Sequence, residues 1–199
     1  MLTINAIVVG LIIAQRLVEL RISKRHHREL TASGAEDVRD PVFPWMVFTH
    51  ALLLVGCLLE PWLLAREFHP WVGWPALAIL LIAQTLRFWV LRSLGRHWNV
   101  RIVASGAGGV VTSGPYRFVR HPNYAVVLVE AIVLPLFHGA FLTLVVVQFL
   151  HIPVLIARIR AEERYLMSLQ PYRDAMFDKP RFLPRLWTPG PKDASKVVR

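Results

Sequence analysis

A single cysteine, Cys57, occurs among 199 residues and falls inside an apolar stretch. That excludes a disulfide framework and a thiolate metal site, and leaves Cys57 as buried apolar filler. Acidic residues are scarce as well, 13 against 23 Lys and Arg. Charged residues of both signs make up only 18% of the chain against 55% hydrophobic ones, and the mean hydropathy is +0.45. A typical soluble domain of this length carries more charge than that. No strand leads through a G-x-G-x-x-G turn into a helix, so there is no signature of a Rossmann-type nucleotide site. The glycines from Gly106 to Gly109 read as a flexible connector. No repeat or low-complexity segment is present. The formal charge of +10 does not make a nucleic-acid footprint, because the Lys and Arg residues lie between and after apolar segments and form no basic domain.

What the chain does have is long apolar runs. A bilayer core needs about 20 apolar residues in a helix, and four regions qualify: Leu2 to Leu20, Val42 to Ala65, Trp71 to Leu91, and Tyr124 to Ala157. The last is too long for one crossing, and His138 and Gly139 divide it into a tight hairpin whose arms are slightly short for a membrane. The expected fold is an all-α integral membrane protein of about five transmembrane helices, a single membrane domain. Residues 1–91 supply three spans, residues 92–187 a loop, hairpin and tail, and residues 188–199 a flexible end rich in Pro, Gly and Lys. Met1 to Leu20 lacks the features of a cleaved leader and reads as a retained first span. Trp45, Trp62, Trp71, Trp74 and Trp89 near span ends suit interfacial anchoring, whereas Trp98 falls in the long connection after span three.

Positive charge sets the orientation. Arg21, Lys24, Arg25, Arg28 and Arg39 follow span one, and Arg92, Arg96, Arg101, Arg117 and Arg120 follow span three. The two opposite connections carry a single Arg between them. Both basic connections and the basic tail are expected in the cytoplasm, with the N-terminus outside, in a multi-pass protein of a bacterial plasma membrane.

The segment SGPYRFVRHPNY, Ser113 to Tyr124, joins a basic aromatic loop directly to an apolar helix. Pro122 restricts His121 to extended backbone and suits the first helical turn, so His121 is presented at a helix N-terminus. Exposed amides there, with Arg117 and Arg120, favour an anionic group, and Tyr116 and Tyr124 offer ring faces and hydroxyls. An interfacial anchor alone would account for the same loop. In the last span, His151, Arg158, Glu162 and Tyr165 share one helix face, with Arg158 and Glu162 at i, i+4 spacing. Arg87, Glu130 and Gln148 lie at membrane depth, where an ionisable side chain costs at least about 2.5 kcal/mol unless it faces the bundle or a wet cavity. Glu130, seven residues after Asn123, either points toward the loop site or pairs with Arg87.

Three segments in order, LRSLGRHW (Leu91 to Trp98), VTSGPYRFVRHPNY (Val111 to Tyr124) and RIRAEERYL (Arg158 to Leu166), resemble the isoprenylcysteine carboxyl methyltransferase family of membrane enzymes. The resemblance covers about half the chain. It implies a helical bundle binding S-adenosylmethionine in a cytoplasm-facing pocket of loop, hairpin and tail, with a lipid entering sideways. It places Tyr116, Arg120, His121, Pro122, Tyr124 and Glu163 with the cofactor, and Arg158 and Glu162 at positions resembling the family's active-site Arg and Glu. Glu130 joins them as a catalytic candidate, with Trp98 and His151 toward the substrate and no metal required. If the acceptor is a carboxylate, Arg158 is the group to hold it; a phenol or enol also needs a base, for which Glu162, Glu130 and His151 are candidates. Val126, where many relatives have glycine, is similar to bacterial members associated with polyketide lipids. The implied activity is O-methylation of a lipophilic acceptor, a prenylcysteine-like carboxylate or the hydroxyl of an alkylated phenol or pyrone. Phospholipid N-methylation, and a non-enzymatic assembly factor or small transporter, are the alternatives.

Overall fold

The computed structural model describes residues 2–37, 40–101, 103–104 and 110–184. The glycine-rich connector at Gly106 and the expected flexible end from Thr188 lie outside them. Five long helices make the architecture: α1 (Leu2–Ala32), α2 (Phe43–Leu63), α3 (Pro70–Leu94), α4 (Pro122–His138) and α5 (Phe141–Leu166). A short α6 (Gln170–Met176) follows. Four of the five are long and apolar enough to cross a membrane, and α4, at 17 residues, is shorter. Its length of about 25 Å falls below a 30 Å hydrocarbon core.

The hairpin turns where expected. Gly139 ends α4 in the left-handed conformation (φ +68°) that a side chain disfavours, and its amide bonds back to Leu136 O. Two helices outrun their apolar runs. α1 continues twelve residues past Leu20 because Arg, Lys and Glu are good helix formers, and Arg25 and Glu29 pair one turn apart at 2.7 Å. α5 likewise carries Arg158 to Leu166 beyond the apolar stretch in one unbroken helix, so the site residues stand on a rigid rod.

α4 packs chiefly on α3, and α5 on α2, with α1 against α2. The core gathers Val9, Leu53, Cys57, Leu80, Leu134, Phe137 and Val147. Trp45, Trp62, Trp71 and Trp74 are exposed near helix ends, as interfacial anchors require, whereas Trp98 is buried. At the hairpin end, the buried Glu60 carboxylate accepts the first free amides of α5, from Leu142 at 3.0 Å and Thr143 at 2.6 Å. That is a helix cap supplied by a neighbouring helix. Glu60→Ala is expected to lower stability by about 1–2 kcal/mol in thermal unfolding in detergent. Arg66→Ala, on the exposed partner 3.5 Å away, is expected to change it little.

At the other end the connections converge. A two-residue antiparallel ladder pairs β1 (Glu36–Asp37) with β2 (Val103–Ala104), tying the α1–α2 connection to the α3–α4 connection. His26 Nδ1 donates to Trp98 O at 2.9 Å, and the Ser23 hydroxyl accepts the Val100 amide. The extension of α1 therefore braces the loop that follows α3.

Candidate active site

The loop before α4 is fixed from both sides. Gly114 (φ +58°) lies so close to α3 that a Cβ there would come 2.1 Å from Ser93 Oγ. Beyond the 3-10 turn at Gly114–Arg117, the Arg120 and His121 amides donate to Pro180 O and Arg181 O, both at 2.9 Å, and Lys179 Nζ donates to Tyr116 O. Pro122 opens α4 at its first turn. The tail thus straps the loop onto the bundle.

The two glutamates of α5 divide their work, since successive residues on a helix point about 100° apart. Glu163 turns to the strap. It accepts from His121 Nε2 at 3.1 Å and from Arg181 at 2.6–3.1 Å, with Arg120 at 3.5 Å. Glu162 faces the interior and accepts the Tyr124 hydroxyl. Arg158 and Glu162 do not pair directly at their i, i+4 spacing: the Tyr124 hydroxyl stands between them, receiving Arg158 Nε at 3.1 Å. Arg158 instead pairs with Asp40, from the α1–α2 connection, and donates to Val100 O at 2.7 Å. Its Nε and Nη2 are hydrogen-bonded, and Nη1 has the Asp40 ion pair alone.

These groups wall a cavity of about 660 Å³ that runs from the loops into the bundle. Tyr116, Arg120, His121, Tyr124, Arg158, Glu162, Trp98 and Tyr172 surround its loop end, and Ile12, Leu53, Leu54, Leu80 and Leu134 its far end. Between them lies a belt of charge. Arg87 grips Glu19 at 2.7 and 2.5 Å, and Arg16 bridges Glu19, at 2.8 Å, and Glu130. Gln84 donates to Glu130 at 2.7 Å. Of the two alternatives left open by sequence, Glu130 faces the cavity; its ion-pair partner is Arg16, while Arg87 takes Glu19, because α1 comes close to both.

Of the residues singled out by sequence, Arg117, Pro122, Gln148, His151, Glu163 and Tyr165 do not line the cavity. Pro122 and Glu163 shape its wall from behind. The buried His151 lies edge-on to His50, ring centroids 5.1 Å apart, and His50 lines the cavity. Sequence reasoning passed over Arg16, Glu19, Asp40, His50, Asn99 and Tyr172. The cost of burying charge, which flagged Arg87, applies equally to Arg16 and Glu19 near the end of the first apolar run.

Tyr116 and Tyr172, outside the spans, have phenols pushed well above the usual value by burial and by the Glu162 charge. Both remain neutral hydroxyls through the physiological range. A raised phenol stabilises the fold fully below its unfolded value of 10.0 and loses that contribution as pH rises toward the folded value. Wild-type stability is therefore expected to fall from about pH 10 upward, and Tyr116→Phe with Tyr172→Phe to flatten that fall in thermal shifts measured across pH 9–11.

A basic, tyrosine-lined loop closed over a cavity with an apolar floor, on a bundle of membrane-length helices, defines an integral membrane protein with room for a polar group beside an apolar one. Residues 76–168, from α3 to α5, match the isoprenylcysteine carboxyl methyltransferase family. Relatives run nearly the full length. The uncharacterised protein YpbQ of Bacillus subtilis is 30% identical over 163 residues, 81% of this chain and 96% of its own. An uncharacterised protein of Haemophilus influenzae is 31% identical over 172 residues, 86% of this chain and 99% of its own. The chain belongs to the isoprenylcysteine carboxyl methyltransferase family and is a membrane methyltransferase. Arg16, Glu19, Asp40 and His50 lie outside the matched segment.

Proposed function

We propose that the protein transfers a methyl group from S-adenosylmethionine to an oxygen of a lipophilic acceptor, a prenylcysteine-like carboxylate or the hydroxyl of an alkylated phenol or pyrone. The observation that carries this is the single cavity, polar and basic at the loops and apolar at its floor. Its volume lies within the range of small-molecule sites, about 300–1,000 Å³.

The residues present fit the cofactor. Arg120 lines the cavity, and its buried Nε has no hydrogen-bond partner among the described residues. A buried unpaired donor on a cation, beside the N-terminus of α4, suits the carboxylate of the cofactor's amino-acid end. Asn99 Nδ2 is a second buried donor without a partner on the same wall, and Tyr116 and Tyr172 supply ring faces for adenosine. When bound, the cofactor supplies a methyl group on a positively charged sulfur.

The chain's own part is to hold, orient and dry the reactants. Tyr124, fixed between Arg158 and Glu162, presents a defined face to the centre of the cavity. Arg120 and His121 keep their positions through Glu163 and the strap. The apolar floor accepts a hydrocarbon tail and excludes water, which favours attack by an oxygen nucleophile. The positive residues on the connections support a loop end in the cytoplasm of a bacterial cell with the N-terminus outside. Residues 92–187 then form the transfer core.

The test is equilibrium binding of labelled S-adenosylmethionine to purified protein, followed by mass spectrometry of lipids from cells with and without it. Saturable binding and a lipid gaining the mass of one CH2 are expected. Absence of saturable binding overturns the reading.

A further inference from the structure

The charged belt across the cavity lies at one depth. His50 is seven residues from the start of α2, Arg87 seven from the end of α3, and Glu130 eight from the start of α4. Each is about 10 Å below the loop end of its helix, where the apolar floor begins. An acceptor with its tail on that floor therefore has its polar group at the belt.

No cation at this level is left for an anion. Arg16 and Arg87 are matched by Glu19 and Glu130, two charges of each sign, and Arg87 Nη1 also donates to Asn123. Arg158 above them is already paired with Asp40 and donates to Val100 O and the Tyr124 hydroxyl. Arg101, at the loop level, lies over the Phe43 ring and has further partners. A carboxylate acceptor would find no protein cation at this depth to hold it, only the cofactor's own sulfonium.

A base, by contrast, is present. His50 Nδ1 lies 2.7 Å from Met46 O, and a carbonyl only accepts, so Nδ1 carries the hydrogen. The Nε2 lone pair of the neutral ring is then free. Nε2 has no hydrogen-bond partner among the described residues, and His50 lines the cavity. His151 fixes the ring from behind: the Thr49 hydroxyl donates to Met46 O, which leaves its oxygen to accept from His151 Nδ1 at 3.0 Å.

We propose that His50 is the catalytic proton acceptor and that the acceptor is a neutral lipid hydroxyl, phenolic or enolic, instead of a carboxylate; this rests on the methyl-transfer reading above. The acceptor O–H bond breaks as its O–CH3 bond forms, the pair of the S–CH3 bond stays on sulfur, and the proton goes to His50 Nε2. The positive charge moves from sulfur to an imidazole that has Arg16, Arg87 and Glu19 around it. The net charge of the site does not change.

The experiment compares wild type and His50→Gln in detergent micelles on long-chain 3-alkylphenols of graded acidity, tuned by ring fluorination, and on a fatty acid of matching length. Wild type is expected to methylate the weakly acidic phenol well and the acid poorly. His50→Gln is expected to lose about 100-fold or more on the weakly acidic phenol and to recover as the phenol becomes acidic enough to ionise by itself. A purely structural defect would lower every acceptor alike. A second readout needs no turnover: with 15N-labelled histidine in cofactor-free protein, the alkylphenol is expected to shift one nonprotonated ring nitrogen signal that His50→Gln lacks. Equal rates for the two proteins on all phenols, or an unmoved signal, removes His50 from the role; preference for the fatty acid removes the hydroxyl class. Labelled S-adenosylmethionine bound equally by both proteins shows that such a failure belongs to this inference, whereas absent binding by wild type fails the methyltransferase reading and this inference with it.

Discussion

Arg120→Ala is expected to weaken S-adenosylmethionine binding by about 10- to 100-fold, the loss that follows from removing one charge-assisted hydrogen bond of about 1.5–3 kcal/mol. The argument begins with what Arg120 lacks. Its amide is held by Pro180 O, and its Nη1 sits 3.5 Å from Glu163, too long for a strong bond, while Nε is buried with no partner. A buried donor left unpaired costs free energy that a bound carboxylate recovers. Arg120→Lys is expected to fall between wild type and alanine, because it keeps the charge and loses the fork. Labelled-cofactor titration measures all three proteins. Because the strap is anchored through the Arg120 backbone, the fold survives the substitution, and unchanged thermal stability checks this. An affinity equal to wild type in Arg120→Ala would place the cofactor's carboxylate elsewhere.

Much of this site was legible before any coordinates, and the reasons are local. Pro122 and the apolar run behind it fix where α4 starts, Gly139 fixes where the hairpin turns, and 3.6-residue periodicity puts Arg158 and Glu162 on one face. The convergence of the Arg-His-Pro turn with the paired glutamates, forty residues apart, followed from resemblance and is seen in the His121–Glu163 bond. What escaped are partners chosen by tertiary approach. Asp40 is one acidic residue in a basic connection, and nothing in its neighbours says that it will meet Arg158. Glu19 and Arg87 are 68 residues apart, and Arg16 and Glu130 are 114 apart. Periodicity shows that each must face inward but is silent on which charge it finds there. Arg158 and Glu162 share a face as the spacing requires, yet that they meet through a third group was equally illegible, since Tyr124 reaches in between from α4.

The belt that selects the acceptor also holds the bundle together, and there the largest effect on stability is expected. Arg87→Met should destabilise the protein by about 3–5 kcal/mol, the range for breaking a buried ion pair by removing one partner. The reason is a charge count. With Arg87 gone, Glu19 and Glu130 share one guanidinium, Arg16, and the interior carries an excess negative charge. Removing Glu19 as well restores balance, because Arg16 and Glu130 remain as a pair with Gln84 as a second donor to the carboxylate. Arg87→Met with Glu19→Met is therefore expected to recover most of the loss, although each substitution alone is harmful. Thermal and denaturant unfolding of the four proteins in one detergent closes the double-mutant cycle. Strictly additive losses would mean that α1 and α3 are joined by packing rather than by charge. Recovery in the double variant would show that the neutrality of the belt, the same property that leaves no cation for a carboxylate acceptor, is what the fold requires at that depth.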